Sequence, residues 1–183
     1  MLVELGDQTV TALTDDSDRA RALNAIYSDS RDQVLSDFPW AFAVTRATLA
    51  QIAGSPVWGF TRWYQLPTDT IRVLETQEPT APWRREADRI LTDLSSMAIK
   101  YIARITDPVK FSPGFVRALV AYLKWRLPIT ITGSLNKQIQ YGAEYRATIA
   151  QVRGSDEEFK GLEQWAWPQE QSFDIYSPLR DVR

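Results

Sequence analysis

Two residue types are missing altogether, because the 183 residues of the chain include no cysteine and no histidine. The lack of cysteine excludes disulfides and thiol catalysis, and the lack of both residues excludes zinc sites built from cysteine and histidine. The lack of histidine also excludes every histidine-based catalytic triad. Any enzyme chemistry would therefore rest on carboxylates, lysine, tyrosine, serine and arginine.

Long hydrophobic runs and a surplus of one charge are missing as well. No apolar run approaches the ~20 residues of a membrane span, and the first seven residues lack the basic and apolar regions of a signal peptide. We therefore expect no membrane partner. The 21 basic and 23 acidic residues give a net charge of −2 and form no basic cluster. Tight phosphate binding normally needs such a cluster, since its affinity comes from counterion release.

The composition that remains is that of a globular chain with many tryptophans. Hydrophobic residues make up 44% and charged residues 24%, and the length favours a single domain over residues 1–183. Seven tryptophans are unusual for one small domain. Tryptophan most often packs inside a core, but it is also favoured at interfaces, so a surplus would suit a protein that binds partners.

Residues at helical spacing predict three helices, at about 17–38, 112–131 and 134–152. The stripe of the first consists of Ala20, Leu23, Tyr27, Ser30, Val34 and Phe38, and that of the third consists of Leu135, Ile139, Gly142, Tyr145, Ile149 and Val152. The second begins with Ser112 as its cap and Pro113 at its first position, where a missing N–H costs nothing. Phe111 and Val116 have the spacing of a hydrophobic staple. Together the three segments predict a small antiparallel helical bundle.

Residues from about 41 to 105 are rich in β-forming and aromatic residues and predict an antiparallel β region. Trp58–Leu66 is predicted to be a strand that turns at Pro67–Asp69 and returns. Arg85–Leu91 and Met97–Ile105 are predicted to form a hairpin or a longer strand pair. Apolar residues alternate along the second strand, which predicts one buried and one half-buried side, as in an antiparallel sheet covered on one face. The predicted fold class is therefore α+β, with an extended C-terminal tail at about 162–183.

The tail has no clean period but is rich in large apolar residues, whereas disordered segments are usually poor in aromatics. We therefore predict that it docks on its own domain or on a neighbour. The candidate partner-binding residues are Trp165, Trp167, Phe173, Tyr176 and Leu179.

Three groups of polar residues are candidates for chemistry. Glu86, Asp88 and Asp93 would make a carboxylate metal site or an acid/base pair if they converged. More commonly, charged residues at such positions lie in water at the edge of a hairpin and discourage pairing with another strand. Arg104 would bind either a phosphate or a nearby carboxylate. The run Arg62–Tyr64 interleaves basic and aromatic residues, as single-stranded nucleic-acid binders do. No glycine-rich phosphate loop is present.

Several short blocks, occurring in one order along the chain, are similar to a known family. They are Leu5–Ser17, Asp37–Ala43, Arg46–Ala50, the strand–turn–strand around Leu66–Asp69, and Tyr101–Ser134. In this order and spacing the chain resembles the tail tubular protein A family, the adaptor or head-completion proteins that phages place beneath the portal.

The resemblance implies a structural virion protein. The absence of cysteine, histidine, a phosphate loop and metal-ligand spacing predicts that it has no catalytic activity, and we expect no cofactor. Members of that family form a ring, typically dodecameric, that attaches to the portal protein and receives the downstream tail or nozzle protein. Genomic DNA passes through the lumen without sequence-specific binding. By this resemblance the chain would be made in the host cytoplasm and would reside at the head–tail junction of the virion. A carboxylate-dependent nuclease and a small nucleic-acid-binding module remain as alternatives.

Overall fold

A computed structural model describes residues 18–127 and 135–155. Its elements make the chain α+β, as the sequence predicts. The helices are α1 (Asp18–Asp37), α2 (Pro113–Arg126) and α3 (Leu135–Ser155). The strands are β1 (Val44–Thr48), β2 (Arg62–Gln65), β3 (Thr70–Thr76), β4 (Trp83–Glu86), β5 (Arg89–Thr92) and β6 (Ala98–Ala103). Short 3-10 helices lie at Ala41–Ala43 and Pro108–Lys110.

Two antiparallel sheets of three strands each pack against each other in the described part of the chain. The strand order is β1-β6-β3 in one, here called the inner sheet, and β2-β5-β4 in the other, the outer sheet. One face of β6 carries Ile102 into a core with residues of the helices. The opposite face carries Ile99 and Tyr101 into a second core with Tyr64 and Ile90 of the outer sheet. The inner sheet therefore separates the helices from the outer sheet.

The pairing of the strands differs from the sequence prediction in two places. Arg85–Leu91 does not pair with Met97–Ile105, because the first lies in the outer sheet and the second supplies the central strand of the inner sheet. Instead, β4 and β5 form the hairpin, through a tight turn at Ala87 and Asp88 in which Ala87 has a φ of 51°. Likewise, β2 does not return through Pro67–Asp69 to β3, since that turn carries the chain from one sheet to the other.

The burial of β6 was also predicted only in part. Alternation suggested one buried and one half-buried side, but Ile99, Tyr101 and Ile102 are all buried. A central strand that is covered by helices on one side and by a second sheet on the other buries both faces. Lys100 in the same strand is buried too, and its Nζ lies 4.0 Å from an oxygen of Glu75.

The helix-side core is built around aromatic rings. Trp40 lies 5.2 Å from Phe115 of α2 in an edge-to-face arrangement, and Phe42 and Phe111 pack on Phe115 from other sides. The Trp40 indole donates a hydrogen bond to the carbonyl of Val34 in α1, which satisfies its buried N–H. These contacts fix α1 and α2 against the inner sheet.

The start of α2 matches its predicted signals except for one. The Ser112 hydroxyl accepts from the backbone N–H of Phe115, with Pro113 in the first turn. Val116 is substantially exposed, whereas Phe115 is completely buried and packs on Phe111 at 4.7 Å. Phe115 therefore occupies the inward position that the staple prediction gave to Val116.

The pairing of α2 with α3 depends on a close approach at Gly142. A Cβ at this position would lie 3.1 Å from the indole nitrogen of Trp125, which stacks on Tyr145 of α3 at 6.2 Å. The Lys124 ammonium donates to Glu144 at 3.1 Å, and the Tyr145 hydroxyl donates to Asp37 of α1 at 2.5 Å. The three helices thus contact one another through both ring packing and polar bonds.

Substitution of Leu119 or Leu123 by alanine is expected to lower the free energy of unfolding by roughly 2–5 kcal/mol. Both leucines are buried in the helix-side core on the inward face of α2. Each truncation removes apolar contacts and leaves a cavity. Denaturant melts of the two variants measure the loss, and a change below ~1 kcal/mol would show that this face of α2 is not essential to the core.

Candidate interaction surface

An apolar loop projects from the edge of the outer sheet. It runs between Ile52 and β2 and contains no charged residue from Ala53 to Phe60. At its tip Val57 is 98% exposed and Trp58 is 81% exposed. An indole costs free energy when it stays in water, and most of this one is left there. We call Val57 and Trp58 the tip.

The tip is held on a fixed base rather than on a long unanchored segment. The Ile52 N–H donates to the carbonyl of Trp63 at 3.0 Å, and the Trp63 indole donates back to the carbonyl of Ala53 at 3.3 Å. The backbone N–H and the hydroxyl of Thr61 both donate to one carboxylate oxygen of Asp93. These bonds close both ends of the loop, which leaves the tip as its outermost part.

Two glycines shape the loop on either side of the tip. Gly54 has a φ of +91° and Gly59 a φ of +89°, values that side-chain-bearing residues rarely adopt. Gly54 also lies against Trp63, where an added Cβ would be 3.8 Å from the ring. The local sequence therefore specifies the turn that presents Trp58, although the sequence prediction placed Trp58 in a strand.

A second exposed apolar pair lies at the start of α3. Leu135 and Ile139 are one helical turn apart, so they lie on one face, and they are 60% and 59% exposed. Gly142, Tyr145, Ile149 and Val152 continue the same spacing and are buried. The predicted apolar stripe is therefore covered only in its later turns in the described part of the chain. We call Leu135 and Ile139 the pad.

Of the candidate carboxylates, Glu86 lies at the exposed end of β4 beside the hairpin turn, and Asp88 and Asp93 do not converge with each other. Asp88 precedes β5 and Asp93 follows it, so a strand's rise places them about 16 Å apart. Asp93 accepts from Thr61, and Asp88 accepts from the Gln65 amide at 3.0 Å. No group of three or more acidic residues able to hold a metal ion is present in residues 18–127 and 135–155.

The electrostatics of Asp88 also differ from those of a general acid. The hydrogen bond from the Gln65 amide, supported by a backbone bond and by the nearby Arg89, lowers the pKa of this exposed carboxyl. A general acid at neutral pH needs a raised pKa instead. Asp88 thus has the properties of a charged residue at a hairpin turn.

Arg104 binds a carboxylate, although not the one adjacent in sequence. Its Nε donates to Asp32 of α1 at 2.7 Å, and the other oxygen of Asp32 accepts from Arg31, also at 2.7 Å. Asp107 instead caps the 3-10 helix by accepting from Val109. The Asp32 carboxylate therefore ties α1 to the segment after β6.

The run Arg62–Tyr64 does not form one stacking surface. Successive residues of a strand point to opposite faces, so Tyr64 is buried in the core while Trp63 faces outward. The guanidinium of Arg89 lies over the Trp63 ring at 4.9 Å, and Arg62 donates to the carbonyl of Asp93. Of the three side chains, only Trp63 belongs to the outward face.

An open cleft of about 250 Å³ lies between the loop after β3 and the loop before β6. Its lining is mostly small or polar, with Gln77, Glu78, Ala81, Leu94, Ser95 and Ser96. It brings together no pair of charged groups.

Alkaline pH is expected to destabilise the fold through two tyrosines. Burial, together with the charge and hydrogen bond of Asp69, raises the pKa of Tyr101 above the ordinary 10.0. Burial is also the main cause that raises the pKa of Tyr122, and the charge of Asp37 adds to it. The folded protein therefore holds these protons more tightly than the unfolded chain, so their contribution is complete below pH ~10 and is lost above it.

The measurement is the free energy of unfolding as a function of pH from 8 upward, by urea melts. Its slope should turn negative above pH ~10, and Tyr101→Phe or Tyr122→Phe should make the slope shallower. An unchanged slope in both variants would contradict this prediction.

The predicted tail residues Trp165, Trp167, Phe173, Tyr176 and Leu179 lie outside the described residues. The sequence prediction did not include the tip and the pad among its site residues. The signal for the tip was Trp58 between two glycines, and the signal for the pad was the first turn of a helical stripe.

No protein-family model matches the chain, and no curated protein is significantly similar to it. In the described residues, no helix is both long enough and apolar enough to cross a membrane.

Proposed function

We propose that this chain is a structural virion protein, the subunit of a head-to-tail adaptor ring. The ring, a dodecamer by the family resemblance, would bind the portal protein on one side and a downstream tail or nozzle protein on the other. Genomic DNA would pass through its lumen without sequence-specific contacts. The sequence blocks that resemble tail tubular protein A carry the family part of this proposal.

The observation on the structure that best supports an assembly subunit is the exposed tip. Val57 and Trp58 are presented on a loop whose base is held by hydrogen bonds to Trp63 and Asp93. Exposed tryptophans of this kind serve as interface anchors, because a large rigid ring gains much from burial at little entropic cost. The pad adds a second apolar surface in another layer of the molecule.

The electrostatics are compatible with DNA passage. A strongly basic ring would hold DNA by releasing its counterions, whereas a chain with a net charge of −2 has little such affinity. Passage of a genome requires weak contacts that do not arrest it. A nearly neutral subunit meets that requirement.

The experiment is the mass of the protein in solution, alone and after mixing with the portal protein. An adaptor should co-sediment with portal rings at a fixed stoichiometry near one subunit per portal subunit. A control mixture with disassembled portal subunits should give less of this complex, since the binding surface belongs to the ring. No mass change at any portal concentration would refute the proposal.

We expect the protein to have no catalytic turnover. The chain lacks cysteine and histidine, and the candidate carboxylates Asp88 and Asp93 are separated and bound to other groups. Incubation with DNA and Mg²⁺, with peptides and with cell-wall material is the test. Turnover that disappears on substitution of one carboxylate would favour the nuclease alternative or another enzyme instead. A salt-dependent shift with short oligonucleotides would favour the nucleic-acid-binding module.

A further inference from the structure

We infer that the segment before α1 of one chain adds a strand to the free edge of β4 in a neighbouring copy of this chain. The part that pairs is Gln8–Thr14, here called the arm. This inference deepens the proposed function and rests on it, since it names a contact between neighbouring ring subunits. β4 is an edge strand of the outer sheet, and all four of its residues are exposed.

The two edges of the outer sheet differ in the described part of the chain. Along β2, the backbone N–H of Gln65 donates to Ala50 at 2.9 Å and that of Ile52 donates to Trp63 at 3.0 Å, so the segment after β1 covers this edge. Beyond its ladder with β5, β4 has no backbone hydrogen bond to another described residue. Such an edge presents unpaired N–H and C=O groups that an extended segment binds as an added strand.

The positive charges on this edge are not compensated by carboxylates in the described part of the chain. Arg84 makes no hydrogen bond or ion pair there, and Arg85 donates only to the backbone carbonyls of Ile71 and Ala87. The one acidic residue of the strand, Glu86, lies at its turn end. Two β4 strands paired about their centres would place arginines side by side, so this edge disfavours a second β4. It favours an extended segment that brings carboxylates.

The arm matches this edge in charge and in residue type. Residues 1–17 contain four acidic residues and no lysine or arginine, whereas the described residues contain 18 of the 21 basic and 12 of the 23 acidic ones. The run Gln8–Thr14 is uncharged and contains a valine and three threonines, which are β-forming residues. Asp7 precedes the run and Asp15 and Asp16 follow it, so a paired arm brings carboxylates to the arginines of β4.

Other pairings within this protein fit less well. β1 is also an edge strand, but Arg46 is its single basic residue. β3 is interrupted by two register shifts, which make an edge a poor template for a further strand. Residues 156–183 contain both acidic and basic residues and two prolines, which lack the N–H that an added strand donates. The arm and β4 are therefore the best-matched pair.

The arm is too close in sequence to α1 to reach β4 of its own chain. Thr14 is four residue steps from Asp18, the first residue of α1, which allows about 14 Å at most. The helices cover one face of the inner sheet and the outer sheet covers the other, so two layer spacings of about 10 Å each separate α1 from the outer sheet. The connection would also have to pass around the inner sheet. The arm therefore pairs with another copy.

This pairing has a consequence for symmetry. Arm and edge are different surfaces, so each copy gives one arm and receives another. Heterologous contacts of this kind form a closed ring when the rotation between copies closes, and a filament when it does not. A ladder of four residues is short, so one contact is weak, whereas a closed ring holds every subunit on two sides. Free copies should therefore associate only at high concentration, and cross-linking is the suitable measurement.

The lack of cysteine makes thiol cross-linking specific. Full-length chains with Thr11→Cys in the arm are mixed with full-length chains with Glu86→Cys at the edge and treated with a short bis-maleimide. The protein is used at about 1 mM, where a contact with a dissociation constant of that size is substantially populated. Thr48→Cys is the matched control, because Thr48 is exposed on β1, the other edge strand. We expect about tenfold more mixed dimer with Glu86→Cys than with Thr48→Cys.

A double variant with Thr11→Cys and Glu86→Cys in one chain shows which copy supplies the arm. We expect a series of covalent multimers. Cross-linking within single chains would overturn the inference, because it would show that the chain's own arm covers the edge. A yield with Thr48→Cys equal to or above that with Glu86→Cys would also overturn it, and so would the absence of any mixed dimer.

Charge exchange tests the chemistry of the contact. Asp7→Lys with Asp15→Lys in the arm chain should lower the yield of mixed dimer about tenfold, and Arg84→Glu in the edge chain should lower it as well. Combining the two altered chains should restore the yield, and salt should lower the yield of the parent pair. Arg117→Glu, at an exposed position on α2, is the matched control and should leave the yield unchanged. A yield that ignores the charges of arm and edge would contradict the inference.

The two levels of the argument fail separately. Portal-bound subunits that do not cross-link between Thr11→Cys and Glu86→Cys would refute the arm–edge contact and leave the adaptor function standing. Arm–edge cross-links in a protein that never binds a portal would refute the adaptor function and leave the self-association standing.

Discussion

Replacing Phe115 with alanine is expected to lower the free energy of unfolding by about 3–5 kcal/mol. Phe115 is completely buried, and three aromatic rings pack on it: Trp40 at 5.2 Å, Phe42 at 5.2 Å and Phe111 at 4.7 Å. Truncation removes a ring from the centre of this cluster and leaves a cavity between α2 and the segment after α1. Because small domains are stable by only 5–15 kcal/mol, this is a large fraction of the total.

The neighbouring residue provides the control. Val116 is 43% exposed on the same helix, so Val116→Ala should change stability by less than ~1 kcal/mol. Urea melts of both variants measure the difference, provided that the dependence of the unfolding free energy on urea concentration is the same in each. Similar losses at the two positions would show that helix formation, rather than ring packing, determines the cost.

Deleting residues 162–183 is expected to abolish attachment to the portal while leaving the melting temperature within about 4 °C of the parent, a shift that corresponds to ~1 kcal/mol. The two described cores draw their residues from positions 34 to 152. Anchors such as Trp165 and Trp167 would bury their surface against the portal or an adjacent subunit, and part of that gain would be offset by ordering the segment.

Point variants separate the aromatic anchors from the segment as a whole. Alanine at Trp165, Trp167 and Phe173 should weaken portal binding about 30-fold or more, as hot-spot truncations do. The control replaces Gln169, Glu170 and Gln171 with alanine and should bind as the parent does. A truncated chain that unfolds, or that still joins the portal with undiminished affinity, would contradict the prediction.

Local sequence signals predicted the helices and their starts well. Ser112 and Pro113 begin α2 because capping needs only residues within one turn. The inward stripe of α1 was predicted from spacing alone, and Ala20, Leu23 and Val34 are buried on it. The sequence predicted that Val116 packs inward on Phe111, whereas its neighbour Phe115 does so. The error arose because apolar residues cover a broad face of α2, so spacing alone does not show which of two adjacent apolar residues points inward.

The strand pairing could not be predicted in the same way. Alternation along Arg85–Leu91 and Met97–Ile105 predicts which residues of each strand face inward. It does not predict which strand is the neighbour, because any two alternating strands can pair with their apolar residues on the same face. The choice between one hairpin and two sheets depends on contacts distant in sequence, such as β1 with β6 and β2 with β5. Lys100 and Tyr101 are both buried because the helices cover one face of β6 and the outer sheet covers the other. No pattern within the strand itself predicts that both faces are covered.

Three properties were determined by the sequence by itself: the α+β class, the residue types available for chemistry, and the caps and stripes of the helices. Each depends on composition or on residues within a few positions. The tertiary structure alone decided which strands pair, that Asp88 and Asp93 stay apart, and that Arg104 binds Asp32. It also decided that Trp58 and Leu135 remain exposed while other large apolar residues are buried. Burial depends on which distant segments cover a side chain, and that is a property of the folded chain as a whole.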